Sequence, residues 1–200
     1  MQDNATQDNA ALPVETHPWA PYIPGKATAL LLGTFPPGRH RWCMDFYYPN
    51  ATNDFWRIIG LLFEHDAAAL YDSKTRAYDL PRIRAILDTH GIALSDTVLQ
   101  ARRTRGTASD KDLEVVTPRD IAALAKEIPG LRGIAATGQK AAEIIAAETG
   151  TPIPTMGQYV MWNDIQIWRL PSTSRAYPLP LAAKAGHYRR FFTSIGSILQ

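Results

Sequence analysis

Ala29-Leu30-Leu31-Leu32-Gly33 is a continuous apolar run closed by a turn residue. With no polar residue in alternation, it suits a central parallel strand covered on both faces. Beyond it, Phe55, Trp56, Ile58, Ile59, Leu61, Leu62 and Phe63 recur as the broad apolar face of a helix, which Thr52 or Asn53 would cap. A further helix is expected near 81–89, with Pro81 in its first turn and Gly91 as its stop. Ile92-Ala93-Leu94 then leads through Ser95-Asp96-Thr97-Val98 as a second strand. Thr117 and Pro118 read as the cap and first position of a helix reaching about Lys126. Gly133 to Gly138 reads as a strand ending in a glycine turn, and Gln139 to Glu148 as a helix stopped by Gly150 and Pro152. The last strand is Ile165 to Leu170, Pro171 to Ser174 its exit loop, and Leu181 to Ile198 a terminal helix. Four strands alternating with helices argue for an α/β fold. The expected architecture is a three-layer α/β/α domain with a central four-stranded, mostly parallel sheet.

The chain has 200 residues, 46% of them hydrophobic and 20% charged, which fits one compact domain with a full core. Residues 1–25, polar and then punctuated by Pro13, Pro18, Pro21 and Pro24, read as a loose N-terminal arm outside the core, and 26–200 as a single domain. No apolar run approaches the roughly 18 residues of a spanning helix, so no membrane association is expected. A lone cysteine, Cys43, excludes an internal disulfide, a four-cysteine zinc site and an iron-sulfur cluster held by four cysteines of one chain. Reducing, cytoplasmic surroundings are the matching expectation.

The formal charge is only +2, so its distribution matters more than its sum. No acidic residue follows Asp164, whereas Arg169, Arg175, Lys184, Arg189 and Arg190 do. Two further basic clusters are Arg39-His40-Arg41 and Arg102-Arg103 with Arg105. If the three converge, they form a surface for a polyanion; if not, they are solvated faces.

In parallel sheets, ligands bind beyond the carboxyl ends of the strands. The exits here are Gly33-Thr34-Phe35-Pro36, Asp96, Thr137-Gly138 and Pro171-Ser172-Thr173-Ser174. They carry no phosphate-binding loop, dinucleotide fingerprint, nucleophile elbow or H-E-x-x-H pair. They do carry, in order, Gly33-Thr34-Phe35-Pro36-Pro37, Phe46-Tyr47-Tyr48-Pro49, Asn53-Asp54-Phe55-Trp56 and Leu170-Pro171-Ser172-Thr173-Ser174. This series resembles the uracil-DNA glycosylase superfamily. With Gly91-Ile92-Ala93-Leu94-Ser95-Asp96 and the stretch from Arg102 to Asp110, it is most similar to the hypoxanthine-DNA (deoxyinosine) glycosylase branch, over about residues 28–195.

The resemblance implies a metal-free, cofactor-free, monofunctional DNA glycosylase, acting as a monomer on DNA that contains a deaminated base. It implies Asn53 and Asp96 as catalytic residues. Gly33, Thr34, Phe35 and Tyr48, with Tyr47 as the neighbouring alternative to Tyr48, would form the base pocket. Pro171, Ser172, Thr173, Ser174 and Arg175 would contact DNA. Phe35 stands where most branches place an Asp or Asn that orients water, and Arg175-Ala176-Tyr177 replaces the usual Pro-Ala-Asn. Asp96 stands where several branches place an Asn that reads the base edge. A base within a duplex must be extruded and restacked, which suits the Tyr48 ring. Hydroxyls and amide N–H groups of 172–174 would donate to phosphate.

Plainer roles compete with each of these. Asn53 would serve as a helix cap, Asp96 as a structural partner of Arg102 or Arg103, Trp56 as core and Cys43 as a small buried side chain. Two other functions also compete: a DNA- or nucleotide-binding relative that has lost catalysis, and a small-molecule α/β enzyme.

Overall fold

The computed structural model describes residues 12–105 and 110–197. In chain order it contains β1 (Val14–Thr16), β2 (Ala29–Gly33), α1 (Phe55–Phe63), β3 (Tyr71–Asp72), β4 (Ala77–Tyr78), α2 (Leu80–His90) and β5 (Ile92–Asp96). There follow β6 (Val98–Arg103), β7 (Leu113–Pro118), α3 (Ile121–Lys126), β8 (Gly133–Ala136), α4 (Gln139–Thr149), β9 (Tyr159–Trp162), β10 (Ile165–Arg169) and α5 (Leu181–Ser194).

The central sheet has the order β5-β2-β8-β10-β9. The first four strands are mutually parallel, as the sequence leads one to expect. β9 is an additional antiparallel edge, paired with β10 through Tyr159↔Trp168 and Trp162↔Ile165. Its signal is present in the sequence: exposed Tyr159 and Met161 alternate with half-buried Val160 and Trp162 ahead of the turn residues Asn163-Asp164, and Asn163 has φ +51°.

Alternation along β2 explains its continuous apolar run. Ala29 and Leu31 enter one core with α1, α2 and α5 residues such as Phe55, Ile83 and Phe191. Leu30 and Leu32 enter the other with Ile121 of α3 and Ile145 of α4. Both faces are covered, giving the three layers. α2 is bounded as its sequence suggests: Asp79 accepts from the Arg82 amide at 3.0 Å, Pro81 opens the first turn, and Gly91 ends the helix at φ +62°.

Two local expectations are corrected. Thr117-Pro118 ends a strand and does not open a helix; α3 is capped by Asp120, whose side chain accepts from the Ala123 amide at 2.8 Å. Leu113, Val115 and Thr117 turn inward while Glu114, Val116 and Pro118 turn outward, the two-residue period of a strand. The second expected strand is also divided at Thr97. Asp96 ends β5, and Val98 begins β6 in a separate antiparallel sheet of order β1-β6-β7.

The proline-rich lead-in, expected outside the core, is packed onto the domain from Val14. β1 pairs with β6 through Val14↔Arg102 and Thr16↔Gln100, and Tyr22 bridges Leu94. His17 within it is buried. The first eleven residues of the arm, the Gly106-Thr107-Ala108-Ser109 loop and Ile198, the expected end of the last helix, lie outside the described residues. Among the described residues no helix is long and apolar enough to cross a membrane.

Candidate active site

The exits of β2, β5, β8 and β10 converge at one edge of the sheet. A Cβ added at Gly33 would lie 2.4 Å from Asp96 Oδ1 and 3.2 Å from the Tyr48 hydroxyl, so the bare backbone of Gly33 is what lets both groups come close over it. The Tyr48 hydroxyl lies 2.9 Å from Thr137 Oγ1, at the exit of β8. A Cβ on Gly138 would lie 3.9 Å from the Ser172 Cβ, which brings in the exit of β10.

Tyr48 and Tyr47 have different duties. Tyr47 is 1% exposed, donates its hydroxyl to Ala20 O at 3.0 Å and offers its own carbonyl to the Trp56 indole N–H. It joins the arm to the core. Tyr48 is partly exposed, with the uncommon backbone φ of +50°. One face of its ring is stacked on Phe55, with centroids 3.7 Å apart and planes 10° apart, so at most the other face is open to a base. Burial of the hydroxyl, reinforced by the nearby Asp96 charge, raises its pKa well above the usual phenol value and keeps it a neutral O–H. Trp56 is core, as expected, at 1% exposure.

Asn53 lies two residues ahead of α1, before the cap residue Asp54, and is partly buried. Its Oδ1 accepts from the Phe55 amide at 2.8 Å in a turn that leads into the helix; the cap position itself, expected at Thr52 or Asn53, falls to Asp54, whose side chain makes no capping bond. The bond from Phe55 orients the Asn53 amide with its NH2 group directed elsewhere; the NH2 makes no hydrogen bond among the described residues. Asn53 therefore offers a fixed donor pair. Its backbone also bridges Ser174, and the Asp54 amide donates to Thr173 O at 2.8 Å. Two segments 120 residues apart in sequence are thereby stitched edge to edge.

Beneath this seam lies a buried ion cluster that the sequence reading missed. Asp54, 5% exposed, holds Lys184 Nζ at 3.0 Å, Arg57 at 2.8 Å and Arg175 at 3.3 Å. Lys184 is 1% exposed and donates also to Ser174 O at 2.7 Å. Burial pushes the Asp54 carboxyl up, but the hydrogen bonds from Lys184, Arg57 and Arg175 outweigh it and hold the pKa below the usual carboxylate value. No periodic signal marks Lys184 in the sequence; it stands among alanines on the inner side of α5.

The exit loop divides between structure and surface. Pro171 and Thr173 are buried. Ser172 and Ser174 accept through Oγ from the amides two residues on, each at 3.2 Å, leaving their hydroxyl protons to donate outward. Arg175 is exposed but tied to Asp54 and to Ala51 O.

Asp96 does not pair with Arg102 or Arg103. Arg102 pairs with Glu114 at 3.1 Å and Arg103 with Glu15 at 2.8 Å. The partner of Asp96 is His17, whose Nε2 lies 2.8 Å from Oδ2. A second carboxyl, Asp110, reaches the same exit and accepts from Thr34 Oγ1 at 3.0 Å. Asp110 lies at the surface as a residue, yet its carboxyl is crowded. Desolvation raises its pKa against the lowering hydrogen bond from Thr34 and the charge of Lys140. Phe35 is partly exposed and packs edge-on to the His17 ring, with the Arg103 guanidinium 5.7 Å from its centroid.

Two of the three basic clusters meet at the 34–42 loop, where Arg103 donates to Pro36 O and Arg39 lies 4.9 Å over the Trp42 ring. Much of the positive charge is offset internally, since Arg105 also faces Asp112 at 3.9 Å. Among the described residues no three His, Cys, Asp or Glu side chains gather as a metal site.

No protein-family profile matches the sequence, and no curated protein matches it. Among solved structures, the chain is similar to the solution NMR structure of a candidate uracil DNA glycosylase from Methanosarcina acetivorans. The two are 20% identical, superpose with a TM-score of 0.61, and match over 92% of this chain and 99% of that one. At that identity the likeness shows the fold alone, which in this chain is a helix-flanked, largely parallel sheet.

Proposed function

We propose that this protein is a monofunctional DNA glycosylase that hydrolyses the N-glycosidic bond of a deaminated base, hypoxanthine or uracil, flipped out of DNA. The observation that carries the reading is the seam between Asn53-Asp54 and Thr173-Ser174. It sets a donor amide and two outward-donating serines beside the gathered strand exits. Such an arrangement supports a phosphodiester backbone on the serines and a base against the strand exits near Gly33.

The bond cleaved lies between C1′ and the base nitrogen. As it breaks, positive charge develops on the sugar and negative charge on the departing base, and water supplies the new bond to C1′. The Asn53 NH2 is suited to donate to the leaving base or to hold the water. Asp96 is suited to accept a proton from the water and to stabilise the cationic sugar. The face of Tyr48 turned away from Phe55 is suited to stack on the extruded ring, and Ser172 and Ser174 offer phosphate contacts.

A base-excision assay tests this directly. Single- and double-stranded oligonucleotides carrying deoxyinosine, deoxyuridine or a G:T mismatch are incubated with the protein and then treated with alkali. Scission at deoxyinosine is the expected result, and Asn53→Ala should slow it by about 100-fold while lesion binding persists. Phe35, in place of a water-orienting Asp or Asn, favours one second reading, a binder without catalysis. Binding to lesion DNA without scission on any substrate would select it.

A further inference from the structure

We propose, resting on the glycosylase reading above, that His17 is a positioning residue for Asp96. Carried by the strap of residues 14–22, it pins one carboxylate oxygen so that the other faces the exit of β2 as the acceptor for the attacking water. His17 Nε2 lies 2.8 Å from Asp96 Oδ2, with side-chain exposures of 1% and 8%. The free oxygen, Oδ1, is the atom that a Cβ at Gly33 would strike, so it faces the gathered exits. It has no hydrogen-bond partner among the described residues. The main chain at Asp96 is held too, since Arg119 Nε donates to its carbonyl at 2.9 Å.

The imidazole's other nitrogen reinforces the arrangement. Nδ1 lies 2.9 Å from Trp19 O and 3.2 Å from Trp19 N. A neutral ring accepting from the Trp19 amide carries its proton on Nε2, and a cationic ring donating to Trp19 O carries one there as well. Both states donate to Asp96. Three rings cage the imidazole: Phe35 at 5.6 Å, Trp19 at 5.7 Å and Tyr47 at 5.8 Å. Phe35 thus takes a different duty from a polar residue at its position. It walls the imidazole that aims Asp96, and the polar work moves from the exit of β2 to the exit of β5.

The strap is fixed where this role requires it. The His17 amide donates to Leu99 O at 2.8 Å, Trp19 Nε1 donates to Asp45 at 2.9 Å, and Tyr22 and Leu94 exchange both backbone hydrogen bonds at 2.9 Å. The full chain therefore carries its acceptor aligned before DNA arrives, which lowers the cost of orienting water.

The test compares wild type, His17→Ala, His17→Gln and Asp96→Asn, all in the full chain, by single-turnover excision of whichever lesion the wild type cleaves. Lesion-DNA affinity and melting temperature are measured alongside. His17→Ala is expected to slow excision at least about tenfold while leaving Kd within about twofold. His17→Gln, whose side-chain amide can still donate to Asp96, should recover part of the rate. Excision by His17→Ala at the wild-type rate would overturn the proposal. So would a loss that follows melting temperature in all variants without recovery by Gln, because that pattern marks packing alone. Full activity of Asp96→Asn would likewise sink it. No excision by the wild type on any substrate would overturn the glycosylase reading itself, a result distinct from the others.

Discussion

Gly33 is where a single hydrogen atom in place of a side chain decides the site. A methyl group there would lie 2.4 Å from Asp96 Oδ1, closer than any ordinary contact, so Gly33→Ala must displace the carboxylate or the Tyr48 hydroxyl beside it. Excision by Gly33→Ala is expected to fall about 100-fold, since a shift of roughly 1 Å in a reacting group has that scale of effect. Undamaged-DNA affinity should hardly change, and the crowding should lower stability by about 1–3 kcal/mol; a fully active variant would show that Oδ1 plays no part. At this scale the sequence was only half legible. Gly33 and Asp96 could be singled out because each closes a strand, and Tyr48 and Asn53 because each falls within a motif that carries the resemblance. His17, Asp54, Asp110 and Lys184 could not, because their importance comes from partners 79, 130, 76 and 130 residues away.

Between elements, the telling join is that of α1 and α5 through Asp54 and Lys184. Removing one partner of a buried pair leaves a charge without compensation and costs about 3–5 kcal/mol. Lys184→Ala should sit near the low end, about 3 kcal/mol, because Arg57 and Arg175 still face Asp54. Urea unfolding measures it. The same cluster predicts an acid dependence. Since the folded Asp54 pKa lies below its unfolded value, its contribution is complete above the ordinary carboxylate range and is lost as pH falls through the depressed folded value. The wild type should therefore lose more stability over that acid range than Asp54→Asn does. Element identities were legible where a pattern ran long enough, as in β2, α2 and β8. They were not at Thr117-Pro118, where a Thr-Pro pair suits both a helix start and the end of an edge strand, and where pairing with β6 decides the outcome.

For the whole molecule, the three-layer order could be read from alternating strands and helices because each parallel strand must be covered twice. The antiparallel additions were harder: β1 is three residues long and takes its shape from β6, while the four residues of β9 carry only a short alternation ahead of Asn163-Asp164. Electrostatics follow the same logic. The formal charge is +2, and several arginines pair with Glu15, Glu114, Asp112 and Asp54, so the cations best placed to meet phosphate are exposed ones outside these pairs. Arg39, exposed on the loop after β2, is one of them. Arg39→Ala is expected to weaken damaged and undamaged DNA alike and to reduce the slope of log affinity against log salt by about 0.9. Titrations at several salt concentrations would show whether the slope changes. The strap also carries its own reporter. Trp19 lies against Trp42 with ring centroids 4.7 Å apart and planes inclined by 38°. Two indoles in such contact share their excitation, so unseating the strap is expected to change the circular dichroism that this pair contributes. Polarised light should thus report, without any label, whether His17 is in place.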